Sequence, residues 1–470
     1  MSGWIFGQSA PLLASHQHNP SPLLAQVFSA DEVLSPYVYV FYVAFLVSWI
    51  FTPIMRSVAI YYGIVDQPDQ LRKIHKTPVA YLGGVAVFLG WIAGLAMSQF
   101  LYLHRNAPGL QHLVIRLGII AGACTIIALG LWDDLRRIRP WMKITGQVAA
   151  ACMLLASGIG TEITKFFIAP ITLRMANYLD WAPDPASPLY QWLIYTSSCG
   201  LVIAIVVFCC NATNLMDGLD GLCGGVTAII AIGFTILAVY LGMNSGGPET
   251  NNDALRVVLA LALLGGVLGF VPYNFNPASI FMGDTGSMFL GFTCALLIIL
   301  MGEVGSRWFL ASTVMFALPI LDTSLAFARR WVNRRPFFSA DRQHFHHQLV
   351  ARGLTIRKAV MLSYGLAIFF VLCGVLIVFM RTRYAVMFYL TIFGYIVVAA
   401  YKMGMVHERP VVVTRKPIDQ GGVVSAASSE PAAVLEVRDA PQPAHSIAPA
   451  DSAAAAPAGL SVPGAWNEPA

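Results

Sequence analysis

Asn211-Ala-Thr-Asn-Leu-Met-Asp-Gly-Leu-Asp-Gly-Leu222 joins two long apolar runs, residues 191–210 and 222–242. Membrane spans ordinarily end in Lys, Arg, Trp or Tyr at the interface. This junction instead carries two amides, two carboxylates and two glycines, with no cation. Carboxylates held at a lipid boundary are costly unless something compensates them. A divalent cation holding a phosphate supplies that compensation. A plain Asp/Gly-rich turn is the blander reading, and it accounts less well for Asn-x-x-Asn-x-x-Asp-x-x-Asp in one short loop. The stretch therefore sets two expectations at once: flanking helices in a bilayer, and chemistry at the seam between them.

Composition agrees with the first. The chain of 470 residues is 57% hydrophobic and 11% charged, with a mean hydropathy of +0.67. Soluble globular chains carry roughly 25% charged residues. Long continuous apolar runs, rather than short alternating segments, exclude a β-barrel. All eight cysteines lie in or beside apolar runs without a Cys-x-x-Cys. They read as small packing residues and not as a disulfide frame or zinc site. The net charge of +5 does not point to nucleic acid.

A helical span takes roughly 20 apolar residues. About eleven candidates follow: 37–55, 81–103, 113–131, 142–159, 191–210, 222–242, 255–273, 286–302, 308–328, 359–380 and 384–401. The eighth is short, and Pro319 and Asp322 interrupt the ninth. A proline removes a helix hydrogen bond, so the ninth helix is expected to be broken there. Cations concentrate in one set of loops: Arg56, Arg72, Lys73 and Lys76; Arg136, Arg137, Arg139 and Lys143; and the segment Arg329 to Lys358. The positive-inside rule then puts the N-terminus outside and the C-terminus in the cytoplasm. Residues 1–36, which hold no Lys or Arg, read as an outside tail with an interfacial turn near Pro20–Phe28, and not as a secretory signal. Residues 37–401 form the transmembrane catalytic domain. Residues 402–470 are a cytoplasmic tail, and its Ala/Pro-rich composition predicts that most of it is disordered. The loop 160–190 leaves a hairpin and a short helix equally open.

On this topology the unusual polar residues share one face. Asp133-Asp134 end the third span, and Asn211, Asn214, Asp217 and Asp220 follow the fifth. Asn274-Phe-Asn-Pro-Ala-Ser-Ile-Phe-Met-Gly-Asp-Thr-Gly-Ser287 joins spans seven and eight, and Asp341-Arg-Gln-His-Phe-His-His347 joins nine and ten. Independent solvated turns would fall on both faces. Each cluster has a bland reading as well. Asp133-Asp134 can offset Arg136 and Arg137, while adjacent carboxylates near cations also suit proton acceptance or a metal. Asp284 can be the N-cap of span eight, a role compatible with phosphate at a helix N-terminus. The histidines can be residues of a solvated loop; they lack a nearby cysteine to complete a zinc set, and hydrogen bonding to a sugar nucleotide or phosphate fits better. Asp322, inside an apolar span, calls for a partner; Arg329 or Arg330 is the nearest choice, and a structural pair and a catalytic one are equally open. In the first inner loop Arg72, Lys73, His75 and Lys76 can be plain positive-inside residues, whereas Gly83-Gly84 entering a helix allows close backbone approach.

Together, Asp133-Asp134, Asn211-Ala-Thr-Asn-Leu-Met-Asp-Gly-Leu-Asp-Gly221, Met282-Gly-Asp-Thr-Gly-Ser287 and Asp341-Arg-Gln-His-Phe-His-His347 resemble the polyprenyl-phosphate N-acetylhexosamine-1-phosphate transferases. The likeness covers residues 37–400, and the histidine segment is similar to the branch acting on UDP-GlcNAc. The branch acting on UDP-MurNAc-pentapeptide has three consecutive histidines, and here Phe345 takes the middle place. The resemblance implies Mg²⁺, with Mn²⁺ as a substitute, held by Asp284 with Asn214 as a second ligand. It implies that Asp133 or Asp134 meets the lipid phosphate, and that Asp217, Gly218, Leu219, Asp220 and Phe281 surround the uridine. Asn211, Lys76, Arg342, His344, His346 and His347 complete the implied substrate contacts, and Asp217 and Asp220 join the two adjacent aspartates as candidate catalytic groups.

The implied reaction is transfer of GlcNAc-1-phosphate from UDP-GlcNAc to undecaprenyl phosphate at the cytoplasmic face of a bacterial inner membrane, initiating a lipid-linked polysaccharide such as O-antigen. The partners are the two substrates and the bilayer; a homodimer is left open and nucleic acid is not expected. A secondary transporter would place its polar groups near the bilayer midplane, often with repeat symmetry, and neither feature is present. A CDP-alcohol phosphatidyl transferase would need a different spacing after Asp217-Gly218.

Overall fold

The computed structural model describes residues 29–66, 78–104, 115–179, 184–244, 251–334 and 344–402. The polypeptide runs α1 (Ala30–Leu34), α2 (Val38–Tyr61), β1 (Val65–Asp66), β2 (Val79–Ala80), α3 (Gly83–His104), α4 (Leu117–Arg136), α5 (Pro140–Ala156), α6 (Lys165–Leu179) and α7 (Pro188–Met216). It continues through α8 (Leu222–Asn244), α9 (Asn251–Asn274), α10 (Gly283–Gly302), α11 (Ser306–Met315), α12 (Ala317–Val332), α13 (Phe345–Ala351), α14 (Ile356–Phe379) and α15 (Thr382–Lys402). Among the described residues, eight helical segments are long and apolar enough to cross a membrane, and nine if the bent pair α11–α12 is one span. The protein is thus a helical, polytopic membrane protein. Each of the eleven predicted spans has a helix or a bent helix pair at its place, but α5 and α15 fall short of the same length-and-hydropathy standard.

The first helix starts earlier than expected, at Ala30. Ser29 and Glu32 form a reciprocal capping box, Glu32 N–H donating to Ser29 Oγ at 3.2 Å and Ser29 N–H to Glu32 at 2.7 Å. That pairing satisfies two N-terminal donors and fixes the start. The segment near Pro20–Phe28 and the tail beyond Lys402 lie outside the described residues. In the loop 160–190 the chain forms a helix, α6, and not a hairpin.

The ninth predicted helix is indeed broken, with 73° between α11 and α12. The break falls at Phe316 and not at Pro319. Proline is tolerated in the first turn of a helix, where its missing N–H has no partner to lose. Pro319 therefore helps to start α12 after the bend.

At the centre stands α10, the span whose sequence is shortest. Every residue of it is buried except Asp284. It packs on α3, α4, α7, α9 and α11. Small residues allow this: a Cβ on Gly84 would strike the backbone of Gly286, and one on Gly130 the backbone of Thr285. Close approach through small residues is the usual device where lipid provides no hydrophobic drive between helices. Two short strands pair antiparallel, and Ala80 bridges to Ile280, tying the first inner loop to the segment that leads into α10. Among the described residues that strand pair is the one departure from an all-α architecture.

Candidate active site

The N-terminus of α10 organises the site. Its first free N–H groups are not capped by Asp284, which sits one residue inside the helix. Asp134, from the end of α4, does this instead. Asp284 N–H donates to its Oδ1 at 2.8 Å, and Thr285 N–H and Oγ1–H donate to Oδ2 at 3.0 and 2.6 Å. A carboxylate here also complements the helix dipole. Gly283 adopts φ +72°, and a Cβ on it would press on the Asp134 carboxylate. The Gly-Asp-Thr order thus seats α10 on Asp134.

Asp133 turns the other way. Its Oδ1 accepts the Ile138 N–H at 2.8 Å, and its Oδ2 lies 2.5 Å from Lys143 Nζ. The same ammonium lies 2.5 Å from Asp284 Oδ2. Lys143, on α5, therefore bridges two carboxylates from α4 and α10. It was visible in the sequence only as one more inner-loop cation.

Asp217 follows the last turn of α7. Crowding by protein, together with the negative charges of Asp284, Asp134 and Asp220, pushes its carboxyl up to about 8. Asn214, one turn earlier, donates to Ser287 Oγ at 3.0 Å and faces Asp284. Tyr81, ahead of α3, is raised by burial and by Asp66, Asp134 and Asp284, which marks it as another neighbour of the site that sequence reasoning passed over. Asp133, Asp134, Asn214, Asp217 and Asp284 are thus brought together from three helix ends.

Other expected residues frame this centre. Asp220 Oδ2 accepts from Asn276 Nδ2 at 2.9 Å and Ala278 N–H at 3.1 Å, so it staples the loop before α10. Asn274 accepts the Gly221 N–H at 3.1 Å and donates to Ile280 O at 3.0 Å, closing the same seam. Asn211 lies within α7 and donates to Gln147 Oε1 at 2.8 Å, joining α7 to α5. Leu219 is buried and Gly218 exposed. Phe281 pairs through its backbone with Ala80 and Gly83, its ring 6.0 Å from that of Tyr81. His346 and His347 lie over Gly218, where a Cβ would clash with His346 Nε2. Asp322 faces His344 and His346 rather than Arg329 or Arg330. Lys76 and Arg342 lie outside the described residues.

Among the described residues no three His, Cys, Asp or Glu side chains are arranged to enclose a metal. The donor set still suits a hard divalent ion. Magnesium is commonly held by one or two carboxylates, with substrate phosphates and water completing its shell. Asp284 and Asn214 offer oxygens, and Lys143 lodged between Asp133 and Asp284 demonstrates that the pair accommodates positive charge.

Comparison with known proteins agrees with this geometry. The profile of glycosyl transferase family 4 matches residues 116–302, a stretch holding both α4 acids, the α7–α8 junction and α10. Over 349 residues, 74% of this chain and 86% of the relative, the sequence is 33% identical to the "Probable undecaprenyl-phosphate N-acetylglucosaminyl 1-phosphate transferase" of Bacillus subtilis (strain 168). It is 31% identical over 341 residues to a decaprenyl-phosphate N-acetylglucosaminephosphotransferase of Mycolicibacterium smegmatis, covering 68% of this chain and 77% of that one. A phospho-N-acetylmuramoyl-pentapeptide-transferase of Desulforamulus reducens is 30% identical over 318 residues, 64% of this chain and 82% of the relative.

Proposed function

This chain belongs to the polyprenyl-phosphate N-acetylhexosamine-1-phosphate transferases of glycosyl transferase family 4, and from that premise we propose that it moves GlcNAc-1-phosphate from UDP-GlcNAc to undecaprenyl phosphate. It is a phosphotransferase, and sugar-1-phosphate transfer from a UDP-sugar to a polyprenyl phosphate is its class of reaction. The products would be undecaprenyl-diphosphate-GlcNAc and UMP, at the cytoplasmic face of a bacterial inner membrane, as the first step of a lipid-linked polysaccharide such as O-antigen. The observation that carries the reading is that Lys143 bridges Asp133 and Asp284 at the start of the buried helix α10, with Asp217 close to Asp284 and Asp134.

A lipid-phosphate oxygen attacks the phosphorus that bears the sugar. One phosphoanhydride forms, the one to UMP breaks, and no oxidant or water is consumed. The acceptor is already anionic, so the difficulty lies in bringing two anions together. Lys143 Nζ places a positive charge there. Asp134 is committed to capping α10, which leaves Asp133 as the carboxylate to orient the acceptor phosphate or take its residual proton. Asp284 and Asn214 would hold magnesium or manganese. Such an ion, when bound, supplies charge neutralisation at the diphosphate and at the leaving UMP. The apolar recess at the α11–α12 bend, lined by Val314, Ala317, Ile320, Tyr389 and Phe393, supports a lateral seat for the isoprenoid chain.

Membranes containing the protein, given undecaprenyl phosphate and radiolabelled UDP-GlcNAc, UDP-GalNAc or UDP-MurNAc-pentapeptide, test the reading. Labelled lipid from UDP-GlcNAc with UMP release is expected. Release of UDP would replace phosphosugar transfer by glycosyl transfer, and preferred use of the muramoyl nucleotide would replace the substrate.

A further inference from the structure

We infer that Asp322 is a positioning residue that turns the His346 ring so that its Nε2 meets the sugar nucleotide at the Asp217–Gly218 turn. The inference rests on the transfer reaction proposed above and adds a residue that acts through another.

Asp322 lies on α12, 2% exposed, and each of its oxygens faces one imidazole. Oδ1 accepts the Phe345 N–H at 2.7 Å and lies 3.4 Å from His344 Nδ1, and Oδ2 lies 3.4 Å from His346 Nδ1. Contacts of this length in a ligand-free site commonly tighten when the ligand binds. Beside Asp322 and His346 a small gap remains, bounded by Met216 and Leu222. The two rings are nearly parallel, 7° apart with centroids at 5.7 Å.

The two imidazole nitrogens lie on different edges of the ring. With Nδ1 toward Asp322, His346 Nε2 points elsewhere, and it points at Gly218. A Cβ there would clash with His346 Nε2 and lie 3.2 Å from His347 Nε2. His346 is 2% exposed, and its Nε2 makes no hydrogen bond among the described residues. A buried polar atom without a partner is costly, and in a cleft it marks a place for a ligand. The partner that Nδ1 faces sets which nitrogen carries the proton. A ring set between a carboxylate at Nδ1 and an anionic oxygen at Nε2 donates from both nitrogens, as the protonated imidazole does. The turn at Asp217 begins where α7 ends, whereas the acceptor-side pair Asp133 and Lys143 comes from α4 and α5. The anion in question is therefore the nucleotide diphosphate and not the lipid phosphate.

The test uses the purified full-length enzyme with Asp322→Asn, His346→Ala and both together. Asparagine keeps an oxygen for the Phe345 N–H, so a purely structural role is preserved, but its amide nitrogen then faces Nδ1 and donates to it, which leaves His346 a neutral Nε2–H donor. Asp322→Asn is expected to raise KM for UDP-GlcNAc about tenfold, as for exchange of one charge-assisted hydrogen bond for a neutral one. KM for undecaprenyl phosphate and the melting temperature stay at wild-type values. In the His346→Ala background, Asp322→Asn adds nothing. Wild-type KM for UDP-GlcNAc in Asp322→Asn, or independent additive effects of the two substitutions, overturns the inference. Should Asp322→Asn not fold, an unchanged KM for UDP-GlcNAc in His346→Ala overturns it equally. Calorimetric binding of UDP-GlcNAc separates the two readings. A wild-type protein that binds the nucleotide without releasing UMP refutes the reaction, and the tenfold change is then read in Kd. A wild-type protein that transfers normally beside an unaffected Asp322→Asn refutes only the role of Asp322.

Discussion

Lys143 is the residue on which the electrostatics of the site turn. Its Nζ lies 2.5 Å from Asp133 and from Asp284, so removing it leaves two carboxylates facing each other without a counter-charge. Lys143→Met is expected to lower kcat about 100-fold or more, the scale of losing a principal charge stabiliser, and radiolabelled transfer by the purified enzyme measures it. Asp284→Ala and Asp217→Ala should each lose a similar factor. The first should also abolish any rise in melting temperature with added Mg²⁺, since a ligand stabilises only the state that binds it. Retained thermal response in Asp284→Ala would remove the metal assignment. The acids and amides were legible in the sequence because charge at the end of an apolar run is costly without a function. Lys143 was not, because a cation in an inner loop already has an explanation in topology. The cap on α10 was hidden for another reason: its carboxylate lies 150 residues upstream of its partner, and local patterns show only nearby caps.

At the scale of elements, α10 converts helix packing into site geometry. Its buried length leaves only Asp284 open to the site, and its start is held by α3 through Gly84 and by α4 through Gly130 and Asp134. Gly84→Ala would push a methyl group into the backbone of Gly286. The expected cost is about 1–3 kcal/mol, as for other overpacked contacts, read as a lower melting temperature in detergent together with reduced transfer. Gly365→Ala on α14, where a Cβ meets nothing within 4 Å, is the control and should change neither. Length and hydropathy located the helices but ranked α10 among the weakest, because a helix surrounded by protein needs no interfacial aromatic or cation at its ends. The bend was foreseen from Pro319 and misplaced to it, since a proline reads the same from sequence whether it interrupts a helix or begins one. The strands β1 and β2 have two residues each, too few to give an alternating pattern, and they exist because Ala80 bridges to Ile280 across the chain.

For the molecule as a whole, the decisive quantity is which side of the bilayer receives the acids. The junctions after α4 and α7 and before α10 converge at one end of the bundle, where the hairpin and α13 also gather. A nucleotide sugar is a cytoplasmic solute, and the cations Arg136, Arg137, Arg139, Arg352, Arg357 and Lys358 flank the same junctions. The positive-inside rule and the proposed substrate therefore predict the same orientation. Ala186 precedes α7 and Ala351 ends α13, and both are exposed. In a background lacking the eight native cysteines, Ala186→Cys should react with a membrane-impermeant maleimide added to intact cells stripped of any outer barrier. Ala351→Cys should react only after permeabilisation. The reverse pattern would place the acids outside, where UDP-sugars are absent, and would defeat the proposed transfer at the cytoplasmic face however well the residues converge. The expected pattern would tie the one-sided clustering of Asp, Asn and His, already evident in the order of the chain, to a pocket that takes its nucleotide from the cytoplasm and its lipid from the side.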